Sequence, residues 1–138
     1  MKDIEQISGD VVDVALRLHR ELGPGLLESV YEAILASKLM TMGHSVARQR
    51  SIDIEFDNLR FEAAFRIDLP VDERLLVEIK SVERLTAAHG KQLLAYLRLT
   101  KQPVGLLINF GVATLKEGLR RIVNDYAPSA SPRLRVNQ

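Results

Sequence analysis

Asp68, Glu78 and Lys80 are the residues whose types and spacing point most directly to chemistry. In Leu75-Leu76-Val77-Glu78-Ile79-Lys80 an apolar run turns charged at its end, and strand alternation places Glu78 and Lys80 on one face with Ile79 on the other. Asp68 ends the preceding extended segment, and a turn at Asp72-Glu73-Arg74 lets the two segments lie side by side. Two carboxylates and one ammonium then converge. Hard oxygen donors suit magnesium or manganese, which polarise a phosphoryl oxygen and acidify a bound water. Lys80 can orient that water or neutralise charge growing on the phosphate. The chemistry would be phosphodiester hydrolysis. The same spacing is equally that of an exposed ion pair on an edge strand, so the pattern alone leaves both readings open.

The elements that must position these residues follow from periodicity. Ile4, Ile7, Val11, Val14, Leu18 and Leu22 recur at helical spacing and stop at Gly23-Pro24-Gly25, where proline lacks the donor a helix needs. A second helix is expected from about Leu26 to Met42, with Gly43 as its C-terminal cap. The period then shortens to two. Strands are expected over Ser51–Phe56 and Leu59–Leu69, joined by Asp57-Asn58, and over Leu75–Lys80. Thr86 reads as the N-cap of a helix to Leu99, followed by a buried strand Val104–Phe110 and a last helix from about Leu115 to Tyr126. The strand, helix and strand from Leu75 to Phe110 form a crossover, so those two strands run parallel in a mixed sheet flanked by helices.

Composition sets the outer limits. The chain has 138 residues, 46% of them hydrophobic, and one domain over residues 1–126 is expected, with a frayed tail over 127–138. Charged residues nearly cancel to +1, so any contact with nucleic acid must come from a local patch. Arg48 and Arg50, with Lys91, Arg98 and Lys101, are candidates for following a phosphate backbone. The absence of cysteine excludes disulfides and thiolate metal sites. Acidic residues at the start, and no apolar run of the roughly 18–20 residues a bilayer requires, point to a cytoplasmic protein with no membrane partner.

Gly25, Glu28 and Tyr31 stand in G-x-x-E-x-x-Y spacing. In order after them come Phe65-Arg66-Ile67-Asp68-Leu69, Val77-Glu78-Ile79-Lys80-Ser81-Val82, His89 with Gln92 to Leu97, and Gly105 to Phe110. Together these segments resemble the GxxExxY family, a branch of the PD-(D/E)XK nuclease-like superfamily, over about residues 4 to 125. The resemblance implies a restriction-endonuclease-like α/β core: a mixed sheet of about four strands, made of a three-stranded meander, then a helix and a parallel strand. It implies Asp68 and Glu78 as ligands of magnesium or manganese, Lys80 as the catalytic lysine, and Glu28 as a further acid of the metal site. Gln92 and Tyr96 match a Q-x-x-x-Y element. The proline that often precedes the first acid is replaced by Ile67.

Each satellite residue also has a plainer reading. Glu28 suits a helix first turn through the helix dipole, and Tyr31, three residues on, suits the core. His89, Gln92 and Tyr96 form one helical stripe that either faces the phosphate groove or bonds to nearby loops. The expected function is a metal-dependent nuclease acting on DNA, with RNA as an alternative substrate, in a monomer or a homo-oligomer. Its rivals are a binding module that keeps the fold without catalysis and a phosphoesterase for small nucleotides.

Overall fold

In a computed structural model, residues 2–124 are described; the expected tail over 127–138, and residues 125–126 of the expected last helix, lie outside them. The elements are α1 (Ile4–Leu22), α2 (Glu28–Thr41), β1 (Arg50–Phe56), β2 (Leu59–Ile67), β3 (Leu69–Val71), β4 (Leu75–Lys80), α3 (Ala87–Thr100), β5 (Val104–Asn109), α4 (Leu115–Gly118) and β6 (Leu119–Val123). Among the described residues no helix is long and apolar enough to cross a membrane.

The fold is α/β, with a mixed four-stranded sheet in the order β3-β4-β5-β6. β4 and β5 run parallel as the crossover requires, and the flanking pairs are antiparallel. Alternation along the central strands builds two cores. Leu75, Val77, Ile79, Leu106 and Ile108 join Ile7, Val11, Leu35 and Leu39 of the first two helices, while Leu76 and Leu107 join Leu93 and Leu97 of α3. Each such side chain contributes about 1.5–3 kcal/mol over its exposed state. Glu78 and Lys80 fall in register with Leu76, so they point to the α3 side.

Two expectations change. The strand expected over Leu59–Leu69 breaks at Asp68, so β1 and β2 form a separate two-stranded ladder and only β3 joins the main sheet. Continuity is kept by the chain before β1, which follows the outer edge of β3 through Val46 opposite Val71 and Ala47 N–H donating to Pro70 O. The expected helix from Leu115 is a single turn ending at Gly118, after which β6 pairs with β5. Leu115, Leu119 and Ile122 have helical spacing, but glycine disfavours a helix interior by about 1 kcal/mol. A Cβ on Gly118 would also lie 2.3 Å from Asn109 O. As a strand, Leu119 and Ile122 face opposite cores, and the open edge of β5 is covered.

A histidine ties this frame to the turn that carries β3 into β4. The His44 side chain is 3% exposed, and its Nδ1 and Nε2 lie 2.6 Å from Asp72 and 2.8 Å from Asp10 of α1. Asp72 also accepts the Ser45 N–H at 2.8 Å. Burial alone would lower the His44 pKa, but the hydrogen bonds to Asp72 and Asp10 outweigh it and raise the pKa above the ordinary 6.5. Stability from this clamp is therefore complete below pH 6.5 and is lost as pH rises through the raised value. His44→Ala should lower unfolding stability by about 1–3 kcal/mol at pH 6, since two carboxylates lose their shared donor. Urea unfolding of wild type and variant across pH 6 to 9 should show that gap closing as pH rises.

Candidate active site

Asp68 sits at the break between β2 and β3, opposite the end of β4, and the two strands are joined there by side chains instead of a ladder. Asp68 N–H donates to Glu78 Oε2 at 2.8 Å, and Ile79 N–H donates to Asp68 Oδ2 at 2.8 Å. Each carboxylate thus has one oxygen on a backbone donor, and the pair is brought together by the strand geometry. Glu78 is 5% exposed. Burial first, and the negative charge of Asp68 second, push its pKa from 4.5 up to about 8, against the pull of the Asp68 N–H and of Lys80. At neutral pH without a cation, Glu78 therefore holds a proton. Lys80 is half-buried two residues on, on the same face.

An adjacent cleft of about 1000 Å³ is lined by Gly25, Glu28, Glu32, Arg48, Gln49, Arg66, Asp68, Ser81 and Gly111, among others. Its walls are tied to the sheet by polar contacts. Ser81 N–H donates to Glu28 Oε2 at 3.2 Å, and Ser81 Oγ donates to Leu26 O at 2.9 Å. Fully buried Asn109 accepts from Val82 N–H and Gly111 N–H at 3.0 Å each and donates to Val82 O at 2.9 Å, fixing the loop after Lys80. Gly111 is required there, because a Cβ would meet Val82 O at 2.3 Å.

The satellites divide. Tyr96 is half-buried and stacks on Phe65 at 4.2 Å; burial and then the charges of Glu78 and Asp68 raise its pKa, so its hydroxyl lies in the field of the acid pair. Gln92 is exposed on the same helix. His89 instead closes the start of α3, its Nδ1 accepting Thr86 N–H at 3.0 Å. Tyr31 is fully buried, stacks on Phe110 at 4.3 Å, donates to Gly23 O at 2.5 Å and accepts from Leu26 N–H. It holds the turn that leads into α2. Of the expected phosphate-binding cations, Arg48 is paired with Glu32 and Arg50 with Glu73, while Lys91, Arg98 and Lys101 are exposed.

Sequence reasoning missed Glu32 and Gln49. Glu32 is 4% exposed and one helical turn after Glu28, a spacing that could have flagged it. Gln49 donates from Nε2 to both Glu32 Oε1 at 2.6 Å and Asp68 Oδ1 at 3.0 Å, a long-range link with no local signature.

The donor set fits a hard divalent cation. Among the described residues no group of three or more His, Cys, Asp or Glu is gathered as a metal cage, and Glu28 stands on the cleft wall rather than with the acid pair. Two carboxylates are nevertheless enough for magnesium, which keeps several of its waters. The proton that buried Glu78 holds beside the Asp68 carboxylate is one that a divalent cation can replace.

Neither curated proteins nor solved structures gave a match to this chain. The family model for the PD-(D/E)XK nuclease superfamily matches residues 5–122. Running through every element from α1 to β6 and including Asp68, Glu78 and Lys80, that match shows that the chain belongs to the PD-(D/E)XK nuclease superfamily.

Proposed function

We propose that this protein is a divalent-metal-dependent nuclease that hydrolyses phosphodiester bonds of DNA, built as one nuclease domain over residues 1–126. The observation that carries the reading is the pairing of Asp68 with buried Glu78 at the end of β4, with Lys80 on the same face. Members of the superfamily generally use divalent metals and act on nucleic acid. Within it, Gly25, Glu28 and Tyr31 favour the GxxExxY branch.

Asp68 and Glu78 would hold magnesium or manganese, with Glu28 as a further acid on the wall of the adjacent cleft. The ion when bound supplies a Lewis acid for the scissile phosphate and lowers the pKa of a water. The chain's own groups do the rest. Lys80 places its ammonium beside the acid pair, where it orients the attacking water and offsets negative charge on the phosphate. Tyr96, with its hydroxyl in the same field, and Gln92 lie on the face of α3 that would meet the strand, and Lys91, Arg98 and Lys101 extend that helix as a basic edge.

Hydrolysis of plasmid and single-stranded DNA with manganese should fall at least about 100-fold in Glu78→Ala and in Lys80→Ala. Unchanged rates in both variants would remove the assignment. Metal and DNA binding without turnover in the wild type would instead mark a binding module on the nuclease fold.

The raised pKa of Glu78 adds a second expectation. A cation must displace the Glu78 proton, so manganese affinity should rise by about tenfold per pH unit from pH 6 to 8 and level off above it, with about one proton released per ion in calorimetry. The metal-free fold carries the opposite dependence. A raised carboxyl pKa stabilises the protonated native state, and that stability is lost as pH climbs from 4.5 through 8. Glu78→Gln should therefore unfold at higher urea than wild type, by a margin that widens over this range, and should lose the pH-dependent metal binding.

A further inference from the structure

Gln49 stands in a costly backbone conformation beside the acid pair. Its φ is +52°, in the left-handed region where a glycine or asparagine is the ordinary choice. Strain of this kind persists where the surroundings impose it, and two of the bonds that hold Gln49 are to Asp68. Gln49 N–H donates to Asp68 O at 2.9 Å, and the side chain Nε2 donates to Asp68 Oδ1 at 3.0 Å. Backbone and carboxylate of Asp68 are gripped together from a segment that is not one of the four strands.

The orientation of the carboxamide is forced. Its Nε2 lies between Asp68 Oδ1 and Glu32 Oε1, and only the NH2 end can face two carboxylate oxygens. Glu32 is held in turn by Arg48 Nε at 3.0 Å, which balances an acid that is 4% exposed. A relay therefore runs Arg48, Glu32, Gln49, Asp68. At its end Asp68 has Oδ2 on Ile79 N–H and Oδ1 on Gln49, and two fixed oxygens define the plane of the carboxylate. With Ile79 alone, the terminal torsion of an aspartate is soft.

We propose that Gln49, oriented by Glu32, is a positioning residue that sets the Asp68 carboxylate for the cation. The proposal rests on the reading of Asp68 and Glu78 as cation ligands. It explains why glutamine, and not the less strained glycine, occupies position 49. Gln49 is exposed, so substitution opens no core.

Glycine at this position separates positioning from structure, because it relieves the backbone while deleting the side chain. Calorimetric titration of the full chain with manganese, paired with melting of the metal-free protein, is the test. Gln49→Gly should melt close to the wild-type temperature, the relieved backbone offsetting the lost donor to Glu32, yet bind manganese about 10–100-fold more weakly, and Gln49→Met should weaken binding similarly. Glu32→Ala, which removes the acceptor that orients Gln49, should follow Gln49→Gly. The manganese concentration for half-maximal activity should rise in Gln49→Gly more than turnover at saturating manganese falls. Asp68→Asn is the reference. If it loses binding while both Gln49 variants keep wild-type affinity, the positioning role is overturned and the site reading stands. If wild type binds no manganese, or Asp68→Asn binds as wild type does, the site reading itself is overturned.

Discussion

The structure turns on a substitution of partners between β3 and β4. At Asp68 and Ile79 the backbone N–H groups take each other's neighbouring carboxylates rather than strand carbonyls. A ladder broken at this point would ordinarily leave buried donors unpaired, at a cost of about 1–3 kcal/mol each. Here the acids satisfy the donors, and the donors fix the acids. The break in the strand and the gathering of the site are the same event.

The surrounding frame follows from that constraint. β3 is three residues long because pairing with β4 begins only after Asp68, and its outer edge is covered by the chain from Val46 to Gln49. The turn from β3 to β4 places Asp72 and Glu73 at positive φ, and their side chains are spent on His44, Ser45 and Arg50. Asn109 and Tyr31 perform the corresponding task for the loop after Lys80 and the turn before α2. Each side of the acid pair is thus held by a buried polar side chain whose hydrogen bonds are directed at backbone, which gives rigidity where a soft loop would let the carboxylates separate.

Much of this was legible in the sequence. The first two helices, the crossover between the parallel strands and the shared face of Glu78 and Lys80 all follow from apolar periods of 3.6 and 2, which are local properties. β6 was not legible, because Leu115, Leu119 and Ile122 satisfy a helix and a strand that is buried on both faces equally well, and the choice belongs to the unpaired edge of β5. The break at Asp68 was hidden for a similar reason: alternation continues through it, and only its bonds to β4 interrupt the ladder. Gln49 reaches Asp68 across 19 positions and reaches Glu32 across 17, links that no local pattern records. His89 and Tyr31 were marked by motif spacing, and their contacts are with the chain itself.

The Asp68 and Glu78 pair is read here as a carboxylate site for a divalent cation. Crystals grown with manganese and measured at its absorption edge test this most directly. The account predicts an anomalous peak between the two carboxylates, bonded to an oxygen of each, with Gln49 still on Asp68. Saturating manganese with no peak there, or with its principal peak elsewhere on the chain, would contradict it.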